Sequence, residues 1–239
     1  MPFTESPSSQ ETLTRGDRLG DQVYKWLAAT IMAGTFAPGD RINIRRLSAE
    51  LNSSVTPVRE AVLRLIAEGV LDTTNTSAII VPERTESEIR EVFEVRRVLE
   101  GEMAFAAADN ITQADVDKLI AVHKQFLSAL DKSDYREVLR QNSIFHFSIY
   151  RRSERPLRLK ITETLWLRIG PTLRYMYPFL QDGRENHKRH ENIIEAAAKR
   201  NREELRLAIL ADLASSESAL QQHLNEPTPP KRRLRQKIG

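Results

Sequence analysis

The stretch from Ser54 to Pro82 constrains this chain most. Ser54 or Thr56 offers an N-cap, Pro57 brings the fixed φ suited to a first helical position, and Gly69 stands where a helix closes. A short helix is thereby delimited at both ends. Directly after it come two β-like runs, Val70 to Thr74 and Ala78 to Pro82, separated by Asn75-Thr76-Ser77, which reads as a hairpin. Upstream, Val23, Leu27, Ile31 and Met32 recur at helical spacing as far as Gly34, and Ala37-Pro38-Gly39-Asp40 marks a turn. A second short helix fits Ile44 to Leu51, with Asn43 as its cap. Three helices and a hairpin in this order make a winged helix-turn-helix.

From Thr85 onward the periodicity is helical throughout. It predicts segments over 85–109, 112–131, 134–152, 155–179, 184–199 and 202–224, with Pro171 and Pro178 kinking or ending the fourth. Thr85 with Glu88 forms a capping box, and Thr112 with Asp115 a weaker version. The fold class is therefore mainly α, an N-terminal winged helix-turn-helix (three helices plus β-hairpin) followed by an all-α helical bundle. The expected divisions are a disordered segment over 1–16, the winged helix over 17–82, the bundle over 83–224 and a basic disordered tail over 225–239.

The formal net charge of +3 misleads if read globally, because the tail alone carries Lys231, Arg232, Arg233, Arg235 and Lys237 against Glu226. Between Arg41 and Arg64, by contrast, five arginines face only Glu50 and Glu60, a local basic footprint. The absence of cysteine excludes thiolate metal sites and cysteine nucleophiles. No run is apolar enough for a membrane span and the N-terminus lacks signal-peptide order, so a cytoplasmic protein with no membrane contact is expected.

The run Ile31-Met32-Ala33-Gly34-Thr35-Phe36-Ala37-Pro38-Gly39-Asp40-Arg41-Ile42, followed by Leu47-Ser48-Ala49-Glu50-Leu51 and Thr56-Pro57-Val58-Arg59-Glu60-Ala61-Val62-Leu63-Arg64-Leu65, closely resembles the DNA-binding domain of the GntR family of transcriptional regulators. Val92-Phe93-Glu94-Val95-Arg96-Arg97-Val98-Leu99-Glu100 resembles the opening of the FCD-type effector domain of the FadR subgroup. A recognition helix needs short and basic residues near its N-terminus, where backbone amides also meet phosphates. Ser54, Thr56 and Arg59 supply these, with Arg59 as base or phosphate reader, Arg45 and Arg46 as backbone grips, and Arg64 as a further candidate. The alternative for Arg59, Arg45 and Arg46 is a solvated helix face. Val55 stands where the family usually has arginine, and Thr76-Ser77 replace the usual Arg-Gly of the wing tip. The basic tail is a candidate to restore phosphate attraction.

The resemblance also implies a metal site, at positions that read Asn142, His146, His190 and Asp212 here. Two imidazoles, one carboxylate and one amide suit a divalent ion, Zn²⁺ or Ni²⁺. The competing reading makes His146 a core histidine and His190 part of an exposed polar run, with His123 structural or exposed. Arg96 matches the arginine that faces the pocket and pairs with an effector carboxylate, its alternative being a salt bridge to Glu100; Arg168 is a second candidate clamp. The family implies a homodimer on a pseudo-palindromic operator, released by a small organic acid as a repressor is. Two rivals are a winged-helix scaffold for RNA or protein and a metal-dependent hydrolase, although no glycine-rich loop, nucleophile motif or HExxH pair occurs.

Overall fold

Helix α1 (Leu19–Met32) buries Val23, Leu27, Ile31 and Met32, the stripe its periodicity marks. The computed structural model describes residues 19–176 and 184–225, so residues 1–16, Pro178 and all of the basic tail but Asn225 lie outside the described residues. Helix α2 (Ile44–Glu50) starts at Asn43, whose side chain accepts the Arg46 amide at 3.0 Å. Helix α3 (Val55–Ala67) starts at Ser54, so Pro57 is its third residue and not its first. The position still suits proline, because the first four amides of a helix have no carbonyl partner within it. Val58, Val62 and Leu65 of α3 pack with Leu27 and Ile31 of α1 and Leu47 of α2 in one core.

The hairpin comprises β2 (Asp72–Thr73) and β3 (Ile79–Ile80), and the sheet has a third strand that periodicity does not reveal, β1 (Arg41–Ile42). The order is β1-β3-β2, antiparallel throughout, with Arg41 and Asp72 both opposite Ile80, and Ile42 and Thr73 both opposite Ile79. A two-residue strand is too short to carry a period. Its pairing comes from the Pro38-Gly39-Asp40 turn, where Gly39 donates to Val81 and accepts a backbone with φ of +86°. At the wing tip Ser77 occupies the left-handed region, φ +59°, which glycine enters without strain.

The remaining helices are α4 (Glu86–Ala107), α5 (Gln113–Asp131), α6 (Tyr135–Tyr150), α7 (Pro156–Leu173), α8 (Arg184–Ala198) and α9 (Arg202–Asn225). Both capping boxes are complete, Thr85 with Glu88 and Thr112 with Asp115. Helix α4 buries Ile89, Phe93, Arg96, Glu100, Met103 and Ala107, a face recurring every three to four residues, and lies along α9. Helix α7 runs through Pro171 and then tightens into a 3₁₀ turn over Arg174–Met176. Two of its buried inward positions are Glu163 and Trp166, while its C-terminal half packs on α1. No helix among the described residues is long and apolar enough to cross a membrane.

Candidate functional site

Asn142 and His146 sit one turn apart on α6, His190 on α8 and Asp212 on α9. The bundle brings the last three together: one donor atom from each of His146, His190 and Asp212 lies within 4.8 Å of the others. Both histidines are buried.

The proton on His146 follows from its neighbours. Tyr150 Oη donates its one proton to Glu100 Oε2 at 2.5 Å, so its 3.3 Å contact with His146 Nδ1 is made by an imidazole N–H. On the other side of the ring, Nε2 faces Asp212 Oδ2 at 3.3 Å. Burial works to raise the Asp212 carboxyl, but His146 beside it, with His190 and Arg96, outweighs burial and holds it below the usual carboxylate range. A proton on Nε2 or a divalent cation between the two groups balances the Asp212 charge, and His190 brings the third donor that a metal requires. In a tetrahedral site with bonds of about 2.1 Å, neighbouring donor atoms stand about 3.4 Å apart, close to the 3.3 Å between His146 Nε2 and Asp212 Oδ2. The residues present therefore fit a divalent ion held by His146, His190 and Asp212, with the Asn142 amide a turn from His146.

Behind this cluster lies a buried polar network centred on Glu100. Its carboxylate accepts from Arg96 Nε at 2.5 Å and from Trp166 Nε1 at 2.9 Å, besides Tyr150. The Arg96 guanidinium lies 4.4 Å over the Trp166 ring and 4.9 Å over Phe93. Arg96 thus turns into the bundle interior, where the carboxylate it pairs with is Glu100. Burial, reinforced by Glu100, pushes the Tyr150 hydroxyl well above its ordinary range, so it remains a donor.

His123 was expected to be structural or exposed. It is buried on α5, with Nδ1 3.3 Å from Nδ1 of His190, whose ring also stacks on Phe145 at 4.1 Å between centroids. The available signal was its place in the apolar stripe with Leu119, Val122 and Phe126. Glu100, Tyr150 and Trp166 were not singled out as site residues either, although Glu100 follows Arg96, and Tyr150 follows His146, by one turn. Arg168 does not join the pocket. Its Nε donates to the Glu68 carbonyl at 3.0 Å, because a residue two positions from the buried Trp166 leaves the opposite side of α7.

On the winged helix, Ser54, Thr56 and Arg59 are exposed around the N-terminus of α3, and the Ser54 side chain makes no capping bond. Arg45 and Arg59 have no ion-pair partner among the described residues, whereas Arg46 pairs with Glu50 on its own helix at 2.8 Å. Arg64 sits in the last turn of α3, away from that surface. It bonds Glu68 at 3.2 Å and Asp21 at 3.3 Å and lies 3.8 Å over the Tyr24 ring, which makes it a tie between α1 and α3.

Residues 19–81 match the family model for bacterial regulatory proteins, gntR family, and residues 91–215 match that of the FCD domain. The HTH-type transcriptional regulator McbR of Escherichia coli (strain K12) is 29% identical over 206 residues, spanning 85% of this chain and 93% of McbR. The Nta operon transcriptional regulator of Aminobacter aminovorans is 31% identical over 182 residues, 74% of this chain and 83% of that protein. The solved structure of E. coli McbR/YncC superposes with a TM-score of 0.80 at 28% identity, covering 87% of this chain and 100% of that one. The winged helix, the helical bundle and these relatives agree: this chain belongs to the gntR family of bacterial regulatory proteins, carries an FCD domain, and is a transcriptional regulator and not an enzyme.

Proposed function

We propose that residues 17–82 bind a pseudo-palindromic operator and that residues 83–224 sense a small organic acid beside a divalent ion, Zn²⁺ or Ni²⁺, whose occupancy sets operator affinity. The observation that carries the sensing half is the buried cluster of His146, His190 and Asp212, one donor atom from each lying within 4.8 Å of the others. When bound, the ion supplies fixed positive charge for one end of an anionic ligand. Glu100, Tyr150 and Trp166 orient His146 and Arg96, and the surrounding aromatic rings exclude water. An effector carboxylate reaching Arg96 competes with Glu100 for the guanidinium.

Arg59, Thr56 and Ser54 are the proposed operator contacts, with Arg45 and Arg46 on the phosphate backbone. A homodimer is supported by an apolar face on the bundle. Val95, Val98 and Phe105 of α4 and Leu157 and Ile161 of α7 are exposed, and the Arg158–Glu102 pair at 3.8 Å joins the two helices between them. Ligand binding in such a dimer changes the placement of the two recognition helices and releases the operator, the behaviour of a cytoplasmic repressor.

The test is metal analysis by mass spectrometry on tag-free protein beside footprinting of DNA from the regulator's own promoter. About one equivalent of divalent ion per chain is expected, lost in a His146→Ala, His190→Ala variant that keeps its thermal transition. A metal-free wild type overturns the metal reading, and a promoter without a footprint overturns the operator reading.

A further inference from the structure

One helix, α7, carries both a member of the buried polar cluster and a grip on the recognition helix. Trp166 bonds Glu100 and lies 5.4 Å from the His146 ring between centroids. Two residues on, Arg168 leaves the opposite side of the helix and donates to the carbonyl of Glu68, the residue that caps α3. Gly170 then backs onto α1, where a Cβ would stand 3.3 Å from Met32 Cα. Past the helix end, Arg174 Nη1 donates to the carbonyl of Gly34 at 3.4 Å.

The carbonyls that these arginines take are the ones left over by the helix ends. Helix α3 closes with Gly69, φ +68°, its amide donating to Ile66 and that of Val70 to Leu65. The carbonyls of Glu68 and Gly69 fall outside this pattern. Arg168 takes the first, and Arg84, in the segment between β3 and α4, takes the second. Helix α1 closes in the same way on Gly34, φ +65°, with Arg174 on its outer carbonyl. Cations are favoured at these helix ends because the peptide dipoles leave partial negative charge there. The proposed DNA-contact residues lie at the other end of α3, so these arginines act on its placement.

We propose that Arg168 is a positioning residue for DNA recognition: it ties the C-terminus of the recognition helix to the helix that carries Trp166, so that a shift of Trp166 is transmitted to α3. Arg174 does the same for α1. The positioning role stands on the regulator's DNA binding alone; only the response to ligand rests on the pocket reading above.

The experiment measures binding of full-length wild type, Arg168→Ala and Arg168→Lys to a fragment carrying the footprinted promoter, over a salt series and with and without Zn²⁺. Arg168→Ala should weaken binding about five-fold, the scale of one cation at a helix C-terminus. The slope of log affinity against log salt should stay unchanged, because no phosphate contact is lost. Lysine, whose ammonium can reach the same carbonyl, should restore most of the affinity. Zn²⁺ should alter wild-type affinity more than that of Arg168→Ala while the two bind the same amount of Zn²⁺. A slope lowered by about one makes Arg168 a phosphate contact and overturns the proposal. Unchanged affinity in Arg168→Ala also overturns it, as does a loss that lysine fails to restore. If wild type binds neither Zn²⁺ nor, in a parallel series, Ni²⁺, the metal reading fails, and the affinity, slope and lysine results still decide the positioning role.

Discussion

Glu100 is fully buried, yet three donors from three helices converge on its carboxylate: Arg96 of α4, Tyr150 of α6 and Trp166 of α7. A buried charge of this kind is tolerated through its partners, and removing one partner leaves the other uncompensated. Glu100→Leu should therefore destabilise the bundle by about 3–5 kcal/mol in urea unfolding, and adding Arg96→Met should recover much of that loss. Failure of the double variant to recover would assign the network a role beyond charge balance. At this scale the sequence was partly legible. The four positions proposed for a metal could be named from a resemblance, and spacing put Asn142 and His146 on one face. Arg168, read as a second clamp, and His123, read as structural or exposed, were placed only by the fold, because a helical histidine or arginine has the same local signature whether its helix turns it inward or outward.

Elements were the most legible level. The caps at Asn43, Thr85 and Thr112 are local contacts, complete within four residues, so they read directly from the chain. Glu88 illustrates what such a cap does. The Thr85 backbone amide and then its hydroxyl, with Arg84, hold the Glu88 carboxyl below its ordinary value of 4.5. A depressed folded pKa stabilises above the unfolded value, and that stability is lost as pH falls through the folded one. Thermal melts should accordingly show wild type losing stability below about pH 4.5 more steeply than Glu88→Gln, whose amide oxygen keeps an acceptor for Thr85 without titrating. Equal slopes would mean that the box does not couple to folding. Strand β1 was illegible for the opposite reason: two residues have no period, and their partner, β3, is nearly forty residues away.

For the whole molecule, the exposed apolar stripe on α4 and α7 bears on assembly. Val98 and Leu157 are 66% and 73% exposed, an arrangement that a second copy would cover. Val98→Asp combined with Leu157→Asp should convert a dimer to monomer in analytical ultracentrifugation, and operator affinity should fall with it because two half-sites are no longer engaged together. A dimer that survives both charges places the interface elsewhere. By itself the sequence determined the order of the helices and the hairpin, the winged-helix and bundle architecture and the family, because caps, turns and apolar periods act within a few residues. Only the tertiary structure decided that Arg64 ties α1 to α3 and that Arg168 grips the C-terminus of α3. A long arginine side chain takes whichever carboxylate or free carbonyl packing brings within reach, and that choice is made between helices far apart in the chain.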